Sequence, residues 1–138
     1  MSIFRLAGVH RLRQLEEERA AAELAKANAE REAARLRREE HVRTLAATTL
    51  DEEDFRVAVA GRAALFGLYA ESTAYLQLAT DRAEQAGAEW SEARMKVRMI
   101  DKLAERHAAG EEAEALRAEQ LLLDETAIRQ ALTPEGER

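Results

Sequence analysis

Apolar and polar residues alternate along this chain with the period of a helix. From Phe4 to about Ala47 there is no proline and one glycine, Gly8, and small or aliphatic residues recur at three-to-four spacing: Leu12, Leu15, Ala22, Ala25, Ala29, Ala33 and Leu36. That spacing predicts one long helix over 4–47 with a narrow, alanine-rich seam, which Arg19, Lys26 and Glu40 keep from being a strict heptad. The pattern then breaks. Thr49, Leu50, Asp51 and Glu52 have the Ser/Thr-x-x-Glu spacing of a capping box, and Asp51, Glu52, Glu53 and Asp54 supply carboxylates where a new helix exposes unpaired amides. A turn over 48–51 and a second helix over 52–132 follow, ended by Thr133 and Pro134, with a disordered tail over 133–138. Its expected seam runs through Leu65, Leu68, Ser72, Tyr75, Ala79, Arg82, Ala86, Ala93, Ile100, Leu103, Leu121 and Ile128. Gly61, Gly67, Gly87 and Gly110 are places where that helix could bend or break.

Two helices joined by one short connection run antiparallel. The expected fold is therefore all-α: two long helices forming an antiparallel coiled-coil hairpin in a single elongated domain, 1–138, with the second helix overhanging. A turn centred near Asp51 pairs position i with about 102 − i, so Arg5 is expected to face Val97 and the overhang to begin at Arg98. An overhang from there to Ala131 is about 50 Å long at the usual helical rise.

Composition narrows the picture. Ala, Glu, Arg, Leu and Lys fill 90 of the 138 positions, with one proline and six aromatic residues, which leaves no material for strands or a thick core. There is no cysteine, so disulfides, thiolate metal sites and cysteine nucleophiles are absent. No apolar run approaches the roughly 18 residues that span a bilayer, and Arg5, Arg11 and Arg13 break up the start, so a cytoplasmic protein is expected.

Enzymatic chemistry finds no foothold. There is no glycine-rich phosphate loop, no HExxH and no Glu-x-x-His pair; His10, His41 and His107 are isolated, and Ser2, Ser72 and Ser91 have no triad partners. No catalytic residue, cofactor, metal or small-molecule substrate is expected. A net charge of −6 argues against nucleic acid as the main partner.

The layout of charge says more than any motif. Residues 1–14 hold Arg5, Arg11 and Arg13 without an acid, and residues 94–106 hold Arg94, Lys96, Arg98, Lys102 and Arg106 against Asp101 and Glu105. Each segment carries +3, and the pairing rule sets them side by side, which points to an acidic partner surface. The other local feature is aromatic: Phe55, Phe66, Tyr69 and Tyr75 are four of the six aromatics and lie near the turn. Leu65, Leu68 and Tyr75 are expected in the core. Phe66 and Tyr69 point about 100° away from their neighbours and are the candidate docking pair.

With these residues in view, the chain resembles the flagellar FliJ family, the small coiled-coil component of the flagellar type III export apparatus. Phe4-Arg5-Leu6 followed by Val9, Arg11, Arg13 and Glu16 is similar to the family's opening, and an acidic turn follows a helix of some forty residues. Ala93-Arg94 leading through Lys96 and Arg98 to Asp101-Lys102-Leu103-Ala104-Glu105-Arg106 resembles a basic stretch ending in Lys-Leu-x-Glu-Arg, and Asp124-Glu125-Thr126-Ala127 resembles a terminal Asp-Glu-x-Ala. The acidic run Glu111, Glu112, Glu114 and Glu119 is a departure.

The resemblance implies a non-enzymatic protein that binds the hexameric export ATPase FliI near its central pore, contacts the export gate FlhA and export chaperones, and works in the cytoplasm at the inner-membrane export apparatus. It carries the family's basic positions onto Arg5, Arg11, Arg13, Arg94, Lys96, Arg98 and Lys102, the cations reached above from charge. When free, the chain is expected to be a monomeric hairpin. The competing readings are an injectisome stalk protein of the same architecture and a generic self-associating structural coiled coil.

Overall fold

The computed structural model describes residues 2–48 and 54–132. Two helices account for nearly all of them: α1, Ser2–Ala47, and α2, Phe55–Leu132. α2 passes through Gly61, Gly67, Gly87 and Gly110 without interruption. The last turn of α1 is closed by Thr48, whose amide and hydroxyl both donate to the Thr44 carbonyl, at 3.0 and 2.7 Å. The expected capping box from Thr49 to Glu52, the Thr133-Pro134 stop and the tail 133–138 lie outside the described residues. Asp54 sits immediately before α2.

The two long helices pack against each other, the second being the longer. Contacts cluster into two compact units, Arg11–Val97 and Met1–His10 with Arg98–Arg138. Within the first, Arg38 meets Thr73, Arg37 covers Tyr75 and Leu24 approaches Gly87, so the helices run antiparallel with residue numbers totalling 111 or 112 across the pair. Within the second, His10 meets Asp101, and Leu6 and Ala7 share a groove with Ala104 and Glu105, again antiparallel.

This register corrects the expected pairing of i with 102 − i. It places Arg5 level with Arg106 rather than Val97. The midpoint of the connection does not set the alignment, because α2 begins nine residues before it reaches the level of the end of α1. Residues 55–63 are accordingly exposed, except for the half-buried Ala58. At the other end the partner surface runs out near Gly110, so the overhang is shorter than expected, and every residue from 108 to 132 is exposed.

The core is as thin as composition implies. Among the described residues Ala27, Ala34, Ala79, Ala83 and Val97 are the buried apolar ones, joined by Ser72, and no large side chain is fully buried. Alanine at these positions lets two backbones approach closely. On α2 the inward residues are Leu65, Tyr69, Ser72, Leu76, Ala79, Ala83, Ala86, Trp90, Ala93, Val97 and Ile100, a heptad pattern of alternating four and three. One half of the expected frame is therefore in place: Leu65, Ser72, Ala79, Ala86, Ala93 and Ile100 face inward. Of the rest, three are off by one residue, since Leu68, Tyr75 and Arg82 are exposed and their places are taken by Tyr69, Leu76 and Ala83, and Leu103, Leu121 and Ile128 are exposed.

On α1 the correction is larger. The residues that face α2 are spaced as Leu6, His10, Arg13, Glu17, Ala20, Leu24, Ala27, Ala34, Arg38, His41 and Leu45. Leu12, Leu15, Ala22, Ala25, Ala29, Ala33 and Leu36 lie on the opposite, exposed face. α1 thus has two apolar stripes. The inner one is disguised by long polar side chains whose aliphatic stems cover apolar surface while their heads reach water.

Candidate functional site

Among the described residues there is no cluster of three or more His, Asp or Glu side chains suited to a metal ion, and no helix is long and apolar enough to cross a membrane. What the chain offers to other molecules is helix surface, so the candidate site is a matter of which charges and rings are free.

The seven candidate cations divide between the two compact units. Arg5, Arg98 and Lys102 belong to the one that contains both ends of the chain; Arg11, Arg13, Arg94 and Lys96 belong to the other. Arg5, Arg11, Arg94, Arg98 and Lys102 are exposed, while Arg13 and Lys96 are half-buried.

Three of them are already engaged. Arg13 donates to Glu16 at 2.8 Å, and Lys96 pairs with Glu92 at 3.0 Å, both within a helical turn. Arg94 lies over the half-buried ring of Trp90, with its guanidinium carbon 5.1 Å from the ring centre. That stacking follows from the four-residue spacing of Trp90 and Arg94, a signal present in the sequence and not used there. Arg5, Arg11, Arg98 and Lys102 make no ion pair, hydrogen bond or ring contact among the described residues, so an incoming carboxylate would displace only water.

One acid of the basic segment meets a histidine across the helices. His10 Nε2 stands 2.6 Å from Asp101 Oδ1, beside a groove of about 480 Å³ lined by Leu6, Ala7, Ala104 and Glu105. Sequence reading had treated His10 as isolated, and the register shift is what brings Asp101 to it. His107 and Glu111 are neighbours at 3.6 Å. His41 faces inward with its buried Nδ1 atom unpaired.

The two aromatic candidates have different roles. Phe66 is 61% exposed. Tyr69 turns toward α1: its hydroxyl accepts a hydrogen bond from Arg38 Nη2 at 3.0 Å, and the same guanidinium lies 5.3 Å from its ring centre. Arg38 Nε also donates to Thr73 at 3.1 Å. These contacts favour the phenolate and hold the Tyr69 hydroxyl below its ordinary pKa, chiefly through the Arg38 hydrogen bond and then that of Thr73. The rings of Phe66 and Tyr69 remain near each other, with centroids 6.1 Å apart and planes tilted by 51°. Phe66 is thus the freely exposed ring, seated on a Tyr69 that α1 fixes. Further exposed apolar residues, Phe55, Val57, Val59 and Leu68, lie on the same stretch of α2.

A pair of long, antiparallel helices with an alanine seam is the structure of a helical coiled-coil protein. A family model described as Flagellar FliJ protein matches residues 1–136, and the chain belongs to that family. It is accordingly a structural, non-catalytic component of flagellar export. No curated protein sequence and no solved structure matches the chain.

Proposed function

We propose that this chain is the stalk-like accessory protein of flagellar type III export, binding the hexameric, FliI-like export ATPase, where it promotes ring assembly and couples nucleotide turnover to export. The observation that carries the reading is that Arg5, Arg11, Arg98 and Lys102 are exposed without an acidic partner, in a chain of net charge −6 that belongs to this family. Cations left unpaired in an acidic protein are suited to an acidic partner surface and speed encounter with it. Arg13, Arg94 and Lys96 complete the proposed set, and their existing contacts are short-range and on the surface, so they can be exchanged for a partner's carboxylates.

The same reading assigns the gate, a FlhA-like protein, and export chaperones as further partners. Phe66, exposed on top of Tyr69, is the docking candidate for the gate. The working location is the cytoplasm, at the periphery of the inner-membrane export apparatus.

The test mixes the purified chain with its cognate export ATPase and measures hexamer formation and ATP hydrolysis. Both should rise with the unaltered chain and fail to rise with Arg5→Glu, Arg11→Glu, Arg98→Glu and Lys102→Glu combined. Stimulation that survives those four reversals would refute the assignment of the cations.

A further inference from the structure

The outer face of α1 is apolar, uncovered and matched in charge to an antiparallel copy of itself. Ala22, Ala25, Ala29, Ala33 and Leu36 fall within about 80° around the helix at 100° per residue, with Leu12 and Leu15 continuing the face toward the start. Leu12, Leu15 and Leu36 are 53%, 55% and 49% exposed. The expectation of a free monomer took this face as the seam against α2, but the structure leaves it bare. We propose that it is the interface of a homodimer in which two α1 helices cross antiparallel on a two-fold axis at Ala29.

Two independent features choose a second copy over other occupants. The first is that the apolar positions read the same in either direction about Ala29, at four and seven residues on each side. An isologous interface requires this self-complementarity. It sets Leu36 of one copy on Ala22 of the other, large against small, and Ala25 on Ala33, which is how two helices pack at short distance.

The second is the charge on one edge of that face. Glu32, Arg35 and Glu39, which lie away from this edge, bond to one another within the helix. By contrast Arg19, Glu23, Lys26, Glu30 and Glu40 make no ion pair or side-chain hydrogen bond among the described residues, although helical spacing allows it. A two-fold rotation lays the edge against itself reversed. Lys26 then meets Glu30 of the other copy, Glu23 meets Arg37, and Arg19 meets Glu40, each pair occurring twice and lying within two residues, about 3 Å along the axis, of level. The same rotation sets Glu18 of one copy level with Glu40 of the other, and Arg19 lies beside both carboxylates. The edge opens onto a groove of about 540 Å³ between the helices, lined on the α2 side by Leu78, Arg82 and Glu89, which gives a second copy room to settle.

The absence of cysteine makes the geometry directly testable in the full-length chain. Under mild oxidation Ala29→Cys should form a disulfide-linked dimer by itself. Ala22→Cys and Leu36→Cys should each stay largely monomeric alone and cross-link when mixed. By sedimentation equilibrium the unaltered chain should dimerise, Lys26→Glu should weaken the dimer at least about tenfold, and adding Glu30→Lys should restore it, with circular dichroism unchanged because Lys26 is exposed and Glu30 only half-buried. A chain that remains monomeric into the high micromolar range would overturn the proposal. Equal self-cross-linking at 22, 29 and 36 would mean a parallel pair and would overturn it too. Export-ATPase stimulation is read separately, and Lys26→Glu should leave it intact.

Discussion

Ala34 and Ala33 are adjacent in sequence and separated by the whole question of which face of α1 meets α2. Ala34 is 1% exposed on the face toward α2, whereas Ala33 is exposed on the outer face. Leucine at either position costs little in helix propensity. At position 34 it forces three more carbon atoms into a seam whose buried residues include Ala79, Ala83 and Ser72, and overpacking of this kind destabilises by about 1–3 kcal/mol. At position 33 the new side chain meets solvent, and the change should stay within about 0.5 kcal/mol. For a chain of this size the first figure corresponds to a fall in Tm of roughly 3–15 °C and the second to at most about 3 °C. Thermal melts followed by circular dichroism at 222 nm, in dilute solution, read both. An unchanged melt for Ala34→Leu together with a large loss for Ala33→Leu would show that the helices meet through the other stripe, and the seam described above would be wrong.

Further outcomes follow from the same geometry. Gly87→Ala should raise stability by about 1 kcal/mol in a denaturant titration, since a Cβ there meets only Leu24 Cδ1, at an ordinary 3.8 Å, and removes a helix-weakening glycine. Deleting residues 111–138 should leave the melting midpoint nearly unchanged while lowering total helical signal, because residues 111–132 are all exposed; a large fall in midpoint would mean they are packed. Tyr69 should ionise below the usual tyrosine value near 10, and Arg38→Ala should move it back up, as read by ultraviolet difference titration. The sign of the linkage is that stability accrues as pH rises through the depressed value and is complete above the unfolded value, so Arg38→Ala should lower stability most in alkaline solution.

How much of this was legible in the sequence depends on what each feature rests upon. Two long helices follow from helix formers, the scarcity of proline and a single break, all local properties, and the antiparallel pairing follows from the shortness of the connection. The inner face of α1 was hidden because both of its stripes have the same period. The true seam carries His10, Arg13, Glu17, Arg38 and His41, so an apolar count selects the outer stripe instead, with its Leu12, Leu15 and Leu36. Burial of alanine, with hydrogen bonds such as Arg38 to Tyr69, decides between them, and neither shows in periodicity. The same kind of error displaced Tyr75 outward and Tyr69 inward. The register was missed because the residues 55–63 stand beyond the end of α1, a stagger fixed by side-chain packing and not by the length of the turn.

The basic residues were legible as a composition and only partly as a site. Among the described residues four of them, Arg5, Arg11, Arg98 and Lys102, are exposed and make no ion pair, hydrogen bond or ring contact. The stacking of Arg94 on Trp90 and the pairing of Asp101 with His10 had to come from three dimensions.

The central claim, that free cations engage the export ATPase, is tested most directly by titrating the chain into the cognate ATPase at two salt concentrations and recording the hydrolysis rate. A contact made through exposed cations should weaken steeply between about 50 and 300 mM salt, where screening shortens the reach of surface charge. It should also be lost when Arg5, Arg11, Arg98 and Lys102 are reversed to glutamate. Binding indifferent both to salt and to those four reversals would contradict the account.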